Sequence, residues 1–296
     1  MLKAPASRPA TSYDEGIARL KAIMDRDDDR IARGARTALY VHGRRAPWSL
    51  VLLHGFTNNP AQYVDFAPEL FVLGVNVVVP RMPFHGYADR MTDALKALTA
   101  EMLIESAYEA VDAAAGLGDQ VAVAGISMGG SLAAYLGQHR ADIATSMPIA
   151  PDFGLLKLPR AVLSVLARIL LLIPNLFLWW DPRLKEKQLP LTAYPRFPTH
   201  GLMQTVRIGD AVYASAKKQA PRAGRIATVV NTHDPAVSDD AALQVVRRWQ
   251  QHRASGIDYV QLTNLPKNHD IIDPGNPLAR TDLVYPRLIE TLNLSS

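Results

Sequence analysis

The sequence predicts an α/β fold in which a doubly wound, mostly parallel sheet carries an inserted helical lid. Three observations predict it. Short apolar, β-branched runs alternate with longer stretches of helical periodicity over most of the 296 residues, the rhythm of a parallel sheet built with right-handed crossovers. The strand candidates are nearly all apolar rather than alternating, as strands covered on both faces must be. Between Pro151 and Pro221 the rhythm stops, and a segment rich in Leu, Pro and Trp takes over before strand and helix resume.

The elements follow in order. Residues 1–35 start Pro-rich and then place Ile17, Leu20, Ile23 and Met24 at helical spacing, which predicts a peripheral helix over 13–24. It ends in the acidic run Asp27–Asp29, read as a solvated face. The core occupies 36–150 and 222–296. Its first half offers β-prone runs at 37–42 and 49–53 around a turn at 43–47, a helix over 61–73 and a strand at 75–79. A long helix over 92–115, a strand at 120–124, a helix over 128–138 and a strand at 144–150 complete that half. Its second half offers a strand at 225–231, a helix over 241–253, a strand at 258–262 and a last helix near 278–292. The lid spans 151–221. No internal repeat or low-complexity tract is visible.

Composition narrows the function. Hydrophobic residues make up 48% and charged ones 20%, the balance of a chain that folds around a core. The net charge of +4 is scattered, with no basic run interleaved with aromatics, which argues against nucleic-acid binding. There is no cysteine, so a thiolate metal site or Cys nucleophile is excluded and covalent chemistry falls to another residue. The N-terminus lacks the uninterrupted apolar stretch of a secretory signal, which makes the cytoplasm the default location. The most apolar stretch, 162–180, is broken by Arg168 and Pro174–Asn175, each costly at a bilayer centre.

Chemistry concentrates at Gly125-Ile126-Ser127-Met128-Gly129-Gly130. This is G-x-S-x-G placed between an apolar strand and an Ala/Leu-rich helix, the setting in which a serine on a strained turn projects above a sheet. Gly125 and Gly129 have a steric reason there, because strand and helix approach closely. A serine hydroxyl needs a base within hydrogen-bond reach and a carboxylate to orient that base, and after such an elbow the acid precedes the base along the chain. Asp234 sits in the loop after the 225–231 strand and His269 in the loop after the 258–262 strand, both at carboxyl ends of strands, where open α/β sheets build their sites. Neighbours offer alternatives, since Asp270 and Asp273 follow His269 and His233 precedes Asp234. Asp234 is preferred because its loop follows the right strand and an Asp adjacent to the base cannot readily face its Nδ1. The expected oxyanion donors are the backbone N–H groups of Met128 and Phe56. His54 and His85 are read as structural.

At these residues the chain resembles the α/β-hydrolase superfamily, in particular its carboxylesterase, monoacylglycerol-lipase and serine-aminopeptidase-like branch. The matching motifs are Leu52-Leu53-His54-Gly55-Phe56, Pro80-Arg81-Met82-Pro83-Phe84-His85-Gly86, Gly125 to Gly130, Asp234 and His269. The resemblance implies that Ser127 attacks an ester carbonyl and His269 moves the proton, and that water resolves the acyl-enzyme. It implies no metal or organic cofactor. Phe84 departs from the pattern, since relatives often carry glycine before the His-Gly pair.

The lid adds a substrate expectation. Its apolar run over 155–180 suits an acyl-chain pocket for esters of short to medium fatty acids or monoacylglycerols, because a desolvated apolar site penalises unpaired charge. The same run offers surface for transient contact with lipid or for a second copy of the chain, or simply buries the lid on the core. Tyr194 to Pro198 and Gln204 to Arg207 are candidates for the alcohol side. An aminopeptidase needs a carboxylate cluster for the substrate amine, and the scattered Asp181, Glu186 and Asp210 of the lid make a poor one. Acyl transfer, amide hydrolysis and non-catalytic ligand binding on the same scaffold are the alternatives.

Overall fold

A computed structural model describes residues 2–155, 158 and 160–294. Leu156, part of the apolar lid run, lies outside the described residues. Seven strands form the main sheet: β1 (Ala38–Tyr40), β2 (Ala46–Leu53), β3 (Asn76–Val79), β4 (Gly118–Ile126), β5 (Thr145–Ile149), β8 (Arg225–Asn231) and β9 (Ile257–Leu262), in the spatial order β1-β3-β2-β4-β5-β8-β9. All neighbours are parallel except β1, which runs antiparallel to β3. The two β-prone runs around the 43–47 turn are therefore not partners. β3 lies between them, so the turn both reverses the chain and steps it over the width of one strand.

The sheet is covered on both faces, and β2 shows how. Val51 and Leu53 enter one apolar cluster with helices α1 (Tyr13–Met24), α3 (Ala100–Ala114), α4 (Met128–His139), α6 (Thr199–Ala216) and α7 (Asp239–His252). Leu50 and Leu52 enter the other with α2 (Phe66–Val72) and α8 (Thr281–Leu292). Alternate side chains of one strand feed opposite layers, so both sets must be apolar. Helix α1, expected as peripheral, docks on α3: Leu20 and Ile23 are buried, and a Cβ on Gly16 would stand 2.7 Å from the Ala113 carbonyl oxygen.

Several boundaries differ from expectation for local reasons. The 92–115 helix begins at Ala100, because Thr99 takes an extended backbone and its side chain accepts the Met102 N–H, an N-cap that starts a new helix. The 61–73 helix is two pieces, a short 3-10 turn over Pro60–Tyr63 and α2, with the Asn59 side chain capping the first. The 151–221 insertion is not wholly helical. Besides α5 (Arg160–Leu170) and α6 it forms an antiparallel ribbon of β6 (Phe177–Trp179) and β7 (Arg196–Pro198). Helix α6, though inside the insertion, packs as core: Ile208, Ala211, Val212 and Ala216 join the larger apolar cluster. Among the described residues no helix is long and apolar enough to cross a membrane.

Candidate active site

The carboxyl ends of β2, β4, β8 and β9 place four loops on one edge of the sheet. Ser127 leaves β4 with φ +58° and ψ −118°, a strained backbone for a residue with a side chain. Its N–H donates to the Ile149 carbonyl at 2.9 Å and its carbonyl accepts from Ser131 N–H at 2.9 Å, so β5 and the first turn of α4 fix the bend. The flanking glycines are sterically required. A Cβ on Gly125 would lie 2.3 Å from the Gly129 carbonyl oxygen, and one on Gly129 would lie 2.0 Å from that of Leu53. Helix α4 meets strands β2 and β4 through backbone alone at this point.

Asp234 follows β8 and is buried. Its Oδ1 accepts from the N–H groups of Ala236 and Val237 at 2.8 and 3.1 Å, which turns Oδ2 toward His269. His269 Nδ1–H donates to that Oδ2 at 2.7 Å. Desolvation favours the neutral imidazole, but the carboxylate of Asp234, with Asp270 and Asp152 further off, outweighs it and holds the pKa above the ordinary 6.5. Asn231, which the sequence reading passed over as strand, ties the two loops together. Its Nδ2 donates to the Pro266 and Asn268 carbonyls at 3.1 and 2.7 Å, and its Oδ1 accepts from His233 N–H at 3.1 Å.

Ser127 and His269 line the same cavity of ≈ 570 Å³, together with Phe56, Asp152 and Asp270. No hydrogen bond joins the Ser127 hydroxyl to the imidazole among the described residues, a looseness common before substrate arrives. The Phe56 N–H has no partner among the described residues, and Met128, as first residue of α4, has an N–H without an intrahelical acceptor. Among the described residues, neither expected oxyanion donor has an acceptor. Apolar side chains of the insertion, Leu155, Leu163, Leu166, Leu170, Leu202 and Met203 among others, form a large part of the remaining wall, and core loops add polar groups from Thr57, Asn58, Gln62, Arg90 and Asn276.

The polar residues behind the site have defined work. His54, buried, contacts the Gly55 carbonyl through Nδ1 at 3.0 Å and accepts the Met82 N–H at Nε2; burial pushes its pKa down to about 4, so it stays neutral and braces two loops. Burial likewise drives the pKa of His85 well below 6.5. Asn58 Nδ2 donates to Asp270 and Asp273 at 3.1 and 3.2 Å. Burial raises both carboxyls, that of Asp273 to about 6. Asp152, after β5, accepts from Ser131 Oγ, and burial raises its pKa. The sequence signal for Asp152 was available, since it too follows a strand's carboxyl end. Among the described residues no group of three or more His, Asp and Glu is arranged for a metal ion.

The model of a family described as "Alpha/beta hydrolase family" matches residues 50–275. The chain belongs to that alpha/beta hydrolase family. Within it, the chain is 28% identical over 171 residues to a thermostable monoacylglycerol lipase of Bacillus sp. (strain H-257), a match covering 56% of this chain and 64% of that protein, somewhat less than two thirds of its length. Among solved structures it is similar to a monoacylglycerol lipase of Paleococcus ferrophilus, with TM-score 0.66 and 16% identity over 88% of this chain and 98% of that one. A structure described under two metagenome-derived lipolytic enzymes gives TM-score 0.65 and 19% identity at the same coverages. At such identities these structures share the hydrolase fold.

The geometry also corrects expectations about the insertion. Tyr194, Pro195 and Phe197 line the cavity, but Gln204 and Arg207 face α3, where Gln204 Oε1 accepts the Ala100 N–H and Arg207 pairs with Glu101. Asp181 pairs with Arg183 and Asp210 with Arg160, and neither these nor Glu186 lines the cavity. Those three carboxylates are therefore directed elsewhere, and the carboxyl groups that do line the cavity are Asp152 and Asp270.

Proposed function

We propose that this protein is a serine hydrolase of carboxylic esters, with Ser127 as nucleophile, His269 as general base, Asp234 as the acid that orients it, and the N–H groups of Phe56 and Met128 as oxyanion donors. The carrying observation is the 2.7 Å bond from His269 Nδ1 to a buried Asp234, with Ser127 on the wall of the cavity that His269 also lines. That bond selects the tautomer whose Nε2 is free to take the serine proton. The hydroxyl then attacks the ester carbonyl, the oxyanion forms facing the two N–H groups, and the imidazolium protonates the departing alcohol. Water, deprotonated by the same imidazole, releases the acid.

The apolar wall supports an apolar acyl group of short to medium length, and the similarity to monoacylglycerol lipases supports a small polar alcohol. Helix α5 and the residues after it expose Val162, Val165, Ile169, Leu172 and Leu176 beside the cavity that Leu163, Leu166 and Leu170 line. Such a patch fits transient contact with a lipid surface that delivers substrate through this lid. The test is hydrolysis of p-nitrophenyl esters from acetate to palmitate by wild type and Ser127→Ala, with folding checked by circular dichroism. Turnover by wild type alone is the expected result, and the chain-length optimum reports the pocket depth. Inactivity of wild type on every ester overturns the reading.

A further inference from the structure

We propose that Trp180 is a positioning residue that sets the oxyanion donor through Thr57. The proposal rests on the reading of Phe56 N–H as that donor. Thr57, the next residue, is buried and has φ +65°. A β-branched residue at positive φ is a true outlier, and such strain persists only where the surroundings over-determine it. Here the determinants come from the insertion. Trp180 Nε1–H donates to Thr57 Oγ1 at 3.0 Å, and Tyr194 N–H donates to the Thr57 carbonyl at 2.9 Å. Two residues on, Asn59 Nδ2 donates to the Thr192 carbonyl at 2.8 Å.

The aromatic contacts act on Phe56 itself. Its ring meets those of Trp180 and Phe197 edge-on at 6.4 and 6.3 Å, while Trp180 and Phe197 lie 4.1 Å apart. The Phe56 side chain and the backbone that follows are thus held by the same residues. The two ends of the clamp differ. Tyr194 is 3% exposed, its hydroxyl accepting the Tyr87 N–H and donating to the Phe84 carbonyl, so it is anchored to the core. Trp180 is 47% exposed and lines the cavity, so it is the end that substrate or a displaced insertion reaches. Seating of residues 180–194 therefore fixes Thr57, and Thr57 fixes where the Phe56 N–H stands relative to Ser127. When the indole leaves, the strained turn relaxes and one oxyanion donor moves off target.

The test uses Trp180→Phe, which keeps a ring against Phe197 and removes the N–H, and Thr57→Val, which keeps the branched shape and removes the acceptor. Each is expected to lower kcat about 10-fold, a fraction of the 10²–10³ that loss of a whole oxyanion donor costs, with KM changed less than about two-fold. The double variant should be no worse than either single one, because both remove the same hydrogen bond. Affinity for an arylboronic acid, which mimics the tetrahedral adduct, should fall in parallel with kcat. A packing role alone would raise KM or lower Tm and leave kcat intact, and that result, or additive losses in the double variant, overturns the proposal. If wild type hydrolyses no ester, the enzymatic reading fails separately. Hydrogen exchange of the 54–60 segment then decides the clamp: faster exchange in Trp180→Phe supports it, and unchanged exchange overturns it.

Discussion

Asp234 and His269 lie 35 residues apart in the chain and meet at 2.7 Å because their loops leave adjacent parallel strands. The register of β8 and β9 pairs Asn231 with Leu262, so both loops start at the same level of the sheet edge. A one-residue slip of β9 would turn its alternate side chains to the opposite face and displace the loop that carries His269.

That contact predicts both rate and pH dependence. Asp234→Asn should lower kcat on the order of 10⁴-fold, because an amide no longer selects the tautomer or stabilises the imidazolium. In the proposed mechanism His269 must be neutral to accept the serine proton, so activity falls as pH drops through its pKa. Since that pKa is held above 6.5 chiefly by Asp234 against desolvation, the half-activity point should lie above 6.5 and move downward in Asp234→Asn. A pH profile of kcat/KM for both proteins checks this, and an unmoved limb sinks it.

Asn231 joins the same loops through three hydrogen bonds and is 1% exposed. Asn231→Ala takes the partner from the buried Asn268 carbonyl and from the part-buried Pro266 carbonyl and His233 N–H, at a cost of about 1–3 kcal/mol. Urea unfolding should show that loss. Activity at low urea should drop by more than the unfolded fraction explains, because the Asp and His loops lose their common tie.

Gly129→Ala tests the elbow. Its Cβ would meet the Leu53 carbonyl oxygen at 2.0 Å and the backbone of Leu53 and His54 at 2.6 and 2.7 Å. Backbone cannot swing aside as a side chain can, so helix α4 must shift away from β2. The expected cost is about 3 kcal/mol or more, read as a fall in Tm. A variant as stable as wild type would refute the close approach.

Asp273 predicts a pH-dependent stability. Burial, with the charge of Asp270 adding to it, raises its pKa from 3.8 to about 6. A carboxyl whose folded pKa exceeds its unfolded one adds stability below the unfolded value, and that contribution disappears as pH rises through the folded one. Relative to Asp273→Asn, wild type should therefore lose stability between about pH 4 and pH 6, by roughly 1–2 kcal/mol. Urea midpoints of both proteins across that range measure the difference, and parallel curves would contradict it.

Much of this was legible in the chain. The apolar runs of β2, β4 and β5 and the helical periods between them needed no tertiary information, because covering a parallel strand on both faces favours apolar residues at most positions, with buried exceptions such as Ser49 and Ser146 donating their hydroxyls to helix carbonyls. The G-x-S-x-G turn was legible from its setting between strand and helix. Boundaries were less so. Thr99 as a cap splits what periodicity alone joins into one helix over 92–115, since both sides carry apolar residues at helical spacing. Helix α6 looked like lid because it follows the Trp-rich stretch, yet it lies in the core with α4 and α7.

The chain by itself determined the elements, the parallel sheet and the loops in which Ser127, Asp234 and His269 stand, because burial, turn chemistry and strand period act over a few residues. Only the tertiary structure decided that β3 separates β1 from β2, that Asn231 binds two loops, that Asn58 meets Asp270 and Asp273, and that Trp180 reaches Thr57. Those relations join residues 27 to 215 positions apart. Their hydrogen bonds carry no periodicity along the chain, and they exist only once packing has brought their partners together.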